Sequence, residues 1–230
     1  MSVSPNVGLY RRATAAALVI GPLLFLVDNL LHPKEYTRGH EAEQLARTGA
    51  SYVRWQLAHT IGFFALVVFA AALLGLAFLV ARRRPTIGLV GGALGVAGLL
   101  GAASVFSIDG YTWGVLGHVS TKPGIDQHTL ETALHEVQHS GWSLVYYLPV
   151  GLWIVGVATL AIAASRFAGV PPAAAGLAAV GALMVGVESG VTSNAYFIVS
   201  SVVWLAGSTA VALAIARMSD AEFAGESQPH

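Results

Sequence analysis

Residues 56–81 read QLAHTIGFFALVVFAAALLGLAFLVA, a run without a single Asp, Glu, Lys or Arg that is closed by Arg82-Arg83-Arg84-Pro85. A hydrocarbon core of about 30 Å is crossed by about 20 apolar residues rising about 1.5 Å each. This run is therefore long enough to span a bilayer as one helix. Working outward with the same measure finds five more, at roughly 12–31, 86–108, 143–165, 170–189 and 194–217. The whole chain agrees with that reading: 230 residues, 55% hydrophobic, 10% charged, mean hydropathy +0.68. Ordinary soluble domains are nearer a quarter charged. The expected fold class is all-α: a polytopic membrane bundle of six transmembrane helices forming a single domain over 1–218. Outer loops are expected at about 32–55 and 109–142, and a polar, disordered C-terminal tail over 219–230. The first run ends Leu26-Val27-Asp28-Asn29-Leu30-Leu31-His32-Pro33, without a small-residue cleavage pattern, and is expected to stay as an anchor.

Charge sets the orientation. Arg11, Arg12, Arg82, Arg83, Arg84, Arg166 and Arg217 all fall at one set of helix ends, beside very short connections, and the positive-inside rule makes that side cytoplasmic. Six spans then put both termini in the cytoplasm, in what is expected to be a bacterial cytoplasmic membrane. Twelve basic residues balance twelve acidic ones, so the polybasic excess of a nucleic-acid binder is missing. With zero Cys, disulfides, thiolate metal sites and Cys nucleophiles are excluded, and any metal would be held by His and carboxylates.

The glycines at 88, 91, 92, 95, 98 and 101, and at 176, 181 and 186, read as small-residue faces for close helix packing, and Pro149 as a kink in the fourth span. Trp55, Trp113, Trp142, Tyr52, Tyr111, Tyr146 and Tyr147 fit an aromatic belt at the outer boundary. Lys34-Glu35 and residues 41–47 read as a solvated loop, with a short surface helix over 41–47 as the alternative.

The outer side is chemically loaded. It carries nine of the twelve acids and all the histidines but His230. Asp28, Asp109 and Glu188 are expected at outer helix C-termini, where exposed carbonyls disfavour another negative charge by about 0.3–1 kcal/mol. A proton, a His, an Arg or a metal cation must compensate. His59 lies one turn inside the second span, where a polar ring is expensive without a partner. His128, Glu131, His135 and His139 follow one another at spacings of three, four and four, which aligns them on one face of an amphipathic helix leading into the fourth span.

Within that helix, His135-Glu136-Val137-Gln138-His139 matches H-E-x-x-H, in which two His one turn apart bind zinc and the Glu activates the metal-bound water. Over these residues and their flanks the chain resembles zinc metallopeptidases. The layout as a whole, with Ala58-His59 opening the second span and His139-Ser140-Gly141-Trp142 opening the fourth, is similar to uncharacterised six-helix bacterial membrane families that bring no known activity. His59, Asp109 and the His135/His139 pair also resemble, more remotely, the outer metal site of ceramidase and progestin-receptor-like membrane hydrolases.

Three functions remain open. The first is a zinc-dependent hydrolase acting on a lipid or other amphiphile, with His59, His135, His139 and Asp109 as metal ligands, Glu136 as general base, and Asp109 as fourth ligand or orienter. The second is non-catalytic: an assembly, sensor or permease-like protein whose polar cluster is structural or responds to external pH. The third is a haem or copper redox protein using His59 with His135 or His139. Asp28, His32, His128 and Glu188 form a secondary polar cluster in each case. The expected partners are the lipid bilayer and, for the hydrolase, an amphiphilic small molecule, with no nucleic acid.

Overall fold

A computed structural model describes residues 6–33, 41–139, 143–188 and 193–226, less the side chains at 41, 137–139, 143, 145 and 146. Among these residues the regular structure is helix: α1 (Val7–Leu31), α2 (Glu41–Ala50), α3 (Tyr52–Ala81), α4 (Pro85–Ser120), α5 (Gln127–His139), α6 (Ser143–Phe167), α7 (Pro172–Gly186), α8 (Asn194–Arg217) and α9 (Asp220–Ala224). Five of them, α1, α3, α4, α6 and α8, are long and apolar enough to cross a membrane. The expected fifth span forms the shorter apolar α7, whose 15 residues extend about 22 Å. Paired prolines at 171 and 172 fix its start, where missing N–H groups cost nothing.

Each long helix packs on the next in the chain and α8 closes on α1. The helices α1, α3, α4, α6, α7 and α8 thus make a ring, with α3 and α6 touching across it. Leu18, Phe69, Leu73, Leu160, Trp204 and Ile215 fill its centre. Small residues set the spacing: Gly95 lies against Gly156, Gly98 against the backbone of Pro149 and Trp153, and Gly181 against Trp204. Where hydrocarbon surrounds the helices, association comes from such close contact rather than from expelling water. Gly176, expected in the same role, faces open space. The outside of the ring is apolar, with Leu74, Leu89, Leu144, Val155, Ile162 and Leu213 each more than half exposed. So much exposed apolar surface is foreign to a water-soluble monomer and suits a membrane.

Three expectations are corrected. The third span was read as ending at 108, but α4 continues to Ser120, 36 residues in all. Gly110, Gly114 and Gly117 keep a smooth face over these extra turns, against which His59, Gln56 and Gly49 pack. Asp109 is thus mid-helix, and the helix-end argument does not apply to it. Trp55 and Trp113, read as belt residues, are buried with Leu45 and Leu134 in a second small core formed by α2, α5 and the adjoining turns of α3 and α4. Tyr111 and Tyr147 are exposed as a belt requires, whereas Trp142 and the Tyr146 side chain lie outside the described residues.

The third correction concerns the tail. Ser219 and Glu222 form a capping box that starts α9, and Gly225, at φ 74°, ends it in the left-handed conformation glycine adopts freely. The fully buried Phe223 stacks on Phe78 at 5.7 Å, and Arg11 Nε donates to Asp220 Oδ1 at 2.9 Å. Arg83 NH1 donates to the Leu79 carbonyl at 3.0 Å and its NH2 to that of Glu222. The C-terminal segment thereby packs on the ends of α1 and α3. Phe223→Ala is expected to lower stability by about 3 kcal/mol, read as a fall in melting temperature, and a truncation after Met218 should fall at least as far.

Candidate functional site

The ring's other end holds the polar residues. His59 is 4% exposed on α3, and Gly110 of α4 makes room for it, since a Cβ there would collide with the imidazole. Its Nδ1 is 3.0 Å from the Trp55 carbonyl oxygen. A carbonyl only accepts, so Nδ1 carries the hydrogen, and a neutral ring then presents the bare Nε2 lone pair. That Nε2 lies 3.6 Å from Asp109 Oδ2, whose side chain is 35% exposed. Two acceptors therefore face each other, and one proton placed between them converts the contact into a charge-assisted hydrogen bond.

His32, at the C-terminal cap of α1, lies alongside, with ring centroids 5.1 Å from His59 and 4.8 Å from Trp55. Its Nδ1 donates to the Pro33 carbonyl at 3.1 Å. Burial, then the neighbouring His59 ring, push His32 down from 6.5 to about 4. An unfolded chain takes up a proton there below about 6.5 while the folded one does not, so this part of the stability is present above pH 6.5 and is lost as pH falls toward 4. Each unit of depression corresponds to about 1.4 kcal/mol. His32→Asn should flatten the acid limb of stability against pH between those values.

Arg54 closes this layer from above: its guanidinium donates to the carbonyls of Leu30 and Leu31, the last turn of α1, where a cation also opposes the helix dipole. Trp55 Nε1 donates to the Gly110 carbonyl at 2.9 Å, tying α3 to α4 at the same height. Phe106 lies beneath, 5.0 Å from His59 by ring centroids.

Glu188 and Asn29 make a second group on the α1–α8 side. Asn29 Nδ2 donates to Ser201 Oγ at 2.7 Å, to the Phe197 carbonyl at 3.3 Å and to Glu188 Oε2 at 3.5 Å, and the Ser200 hydroxyl donates to Glu188 Oε1. Asp28 is fully buried one turn inward of His32.

The H-E-x-x-H segment is helical, as its pattern predicts. Asp126 opens α5, accepting from Thr129 Oγ1 at 2.6 Å and the His128 N–H at 3.0 Å; the Thr129 hydroxyl, foremost, holds this carboxyl below the usual range. Leu130 and Leu134 pack into the outer core, leaving His128, His135 and Glu136 exposed and Glu131 partly so. Of the expected quartet of His59, His135, His139 and Asp109, the structure brings His59 and Asp109 together. The His139 side chain lies outside the described residues, and among the described ones no group of three or more His, Asp or Glu is arranged to hold a metal ion.

Four contributors escaped the sequence reading. Ser200, Ser201 and Asn29 sit inside apolar runs with nothing to mark them, and Trp55 was assigned to the belt. The Trp55/His59 spacing of one helical turn was the available signal. No protein-family model, curated protein or solved structure matches this chain.

Proposed function

We propose that this chain is an integral membrane protein of six spans with cytoplasmic termini, whose outer-end His59–Asp109 pair binds a proton and makes the packing of α1, α3 and α4 responsive to external pH. It is a sensor or permease-like protein in this reading, not an enzyme. The carrying observation is the 3.6 Å approach of His59 Nε2 to Asp109 Oδ2, with Nδ1 already committed to the Trp55 carbonyl. The partly exposed Asp109 gives protons from outside access to a ring that is otherwise buried. Orientation is supported by the arginines that gather with α9 at the opposite end, and a six-span count by the chain-order ring, in which α7 bridges the α6 and α8 positions. A helix of about 22 Å spans by local thinning of the bilayer or by flanking polar residues reaching outward.

Trp55 is a built-in reporter, 4.4 Å from His59 by ring centroids, and a charged imidazole quenches indole emission. Acidifying the outside of oriented proteoliposomes is expected to lower tryptophan fluorescence in the wild type, and the step should vanish in Trp55→Phe and in Asp109→Asn. A step unchanged in either variant rules the pair out. Sidedness has its own test, helped by the absence of native Cys. An impermeant maleimide on intact cells should label a single Cys at 122 or 127 and spare one at 84 or 169.

One observation favours a zinc hydrolase as the second reading: α5 is a continuous helix from 127 to 139, so His135 and His139 lie one turn apart. Under the proton reading, detergent-purified protein carries far less than one metal per chain, equally in wild type and in His135→Ala/His139→Ala. Stoichiometric zinc lost only in the variant would reverse the order of the two readings.

A further inference from the structure

Asp28 takes no part in the His59–Asp109 contact, and its surroundings are unlike those of Glu188. It is 0% exposed, and neither carboxyl oxygen has a hydrogen-bond partner among the described residues. Glu188 accepts from the Ser200 hydroxyl and from Asn29 Nδ2. The titratable and charged groups on the elements around Asp28 are His32 on its own helix, Arg54 and His59 on α3, Asp109 on α4 and Glu188 beyond α7; α8 offers the hydroxyls of Ser200 and Ser201. Each cation or donor among them is engaged elsewhere: Arg54 on Leu30 and Leu31, His32 on Pro33, His59 on Trp55, Ser201 on Phe197.

A bare carboxylate with no donor, away from water, costs several kcal/mol. The position therefore calls for a bound cation, and the space decides which one. Asp28 Oδ2 lies against Gly62, where an added Cβ would stand 3.0 Å from it, and beside the Phe106 ring that also crowds that glycine. Phe25, one turn inward, packs on Phe106 at 5.9 Å and on Trp204 at 5.5 Å between ring centroids. The Phe106 ring and a bare glycine backbone thus stand beside the carboxyl. A metal ion requires several oxygen ligands at once, whereas a proton requires only the carboxyl itself.

We propose that Asp28 is a proton-binding site in the bundle interior, where it holds the proton as a neutral acid. Asp28 is also not alone in lacking a partner. Trp153 Nε1, Trp204 Nε1 and Ser208 Oγ are likewise buried without one among the described residues, with the Trp204 ring 5.5 Å from that of Trp153 and Ser208 one turn later on α8. Such groups are the usual hosts of buried water. This site stands independently of the His59–Asp109 pair.

Infrared spectroscopy of the full chain in detergent at neutral pH tests it. Expected is a carboxylic-acid carbonyl absorption that shifts in D2O and has a component lost in Asp28→Asn and kept in Glu188→Gln. Should Asp28→Asn fail to fold, the wild type alone decides: dicyclohexylcarbodiimide, which adds to protonated carboxyls in apolar surroundings, should label Asp28 by peptide mass spectrometry. A folded wild type without the acid band, a band unchanged in Asp28→Asn, or a wild type in which Asp28 takes no label overturns the proposal.

Discussion

Gly98→Leu is expected to yield no folded protein, while Gly151→Leu, on the helix that Gly98 packs against, should be tolerated. A Cβ at 98 would stand 2.6 Å from the Pro149 carbonyl oxygen and 2.7 Å from the Trp153 Cα, both main-chain atoms that cannot step aside without moving α6. One excess methylene in a packed core costs about 1–3 kcal/mol where side chains can adjust. Here four carbons meet backbone, and the neighbouring contacts of Gly95 with Gly156 and of Gly101 with Pro149 are lost with the shift. A cost of that size is comparable to the whole stability of a domain, about 5–15 kcal/mol. Gly151 meets nothing within 4 Å and points away from the ring. Size-exclusion profile and thermal unfolding in detergent separate the two. A monodisperse, thermally stable Gly98→Leu would mean that α4 and α6 do not touch as described.

The second large effect concerns the buried imidazole. His59→Ala removes a ring packed on Trp55, Phe106 and His32 and leaves its space to Gly110, which has no side chain to fill it. A loss of about 2–4 kcal/mol is expected. His59→Gln keeps much of the volume and the ability to donate to the Trp55 carbonyl, so its melting temperature should fall less. Both substitutions should abolish the acid-induced fluorescence step completely. That pairing distinguishes a functional ring from a filler: a His that only packs would lose stability in His59→Ala while leaving the pH response in His59→Gln intact.

How much of this was visible beforehand depended on whether a residue's role is set locally. The run from 56 to 81 announces its helix by length and lack of charge, and the 128–139 pattern announces α5, because helical period and hydrophobicity act within one segment. His59 and Asp109 were expected in one cluster because alternate helix ends share one end of a bundle, and they do meet, at 3.6 Å. Where α4 ends was not legible. Ile108-Asp109 looks like a membrane boundary, yet Gly110, Gly114 and Gly117 extend the helix because α2 and α3 pack on it, which is a tertiary cause. The direction in which α5 turns was equally hidden. Four polar residues share one face in projection, but Leu130 and Leu134 share another, and the outer core formed with Trp55 and Trp113 exists only once four helices are assembled. Phe223 is similar, a lone aromatic in a polar tail whose importance comes from Phe78 on another helix.

The most direct measurement is nitrogen NMR of protein labelled in the histidine rings, with His59 assigned by its loss in His59→Gln. The account predicts that His59 Nδ1 carries a hydrogen at every pH, held by the Trp55 carbonyl, and that Nε2 alone gains a proton on acidification, a change lost when Asp109 is replaced by Asn. An Nδ1 without hydrogen, or an Nε2 signal indifferent both to pH and to Asp109→Asn, would contradict it.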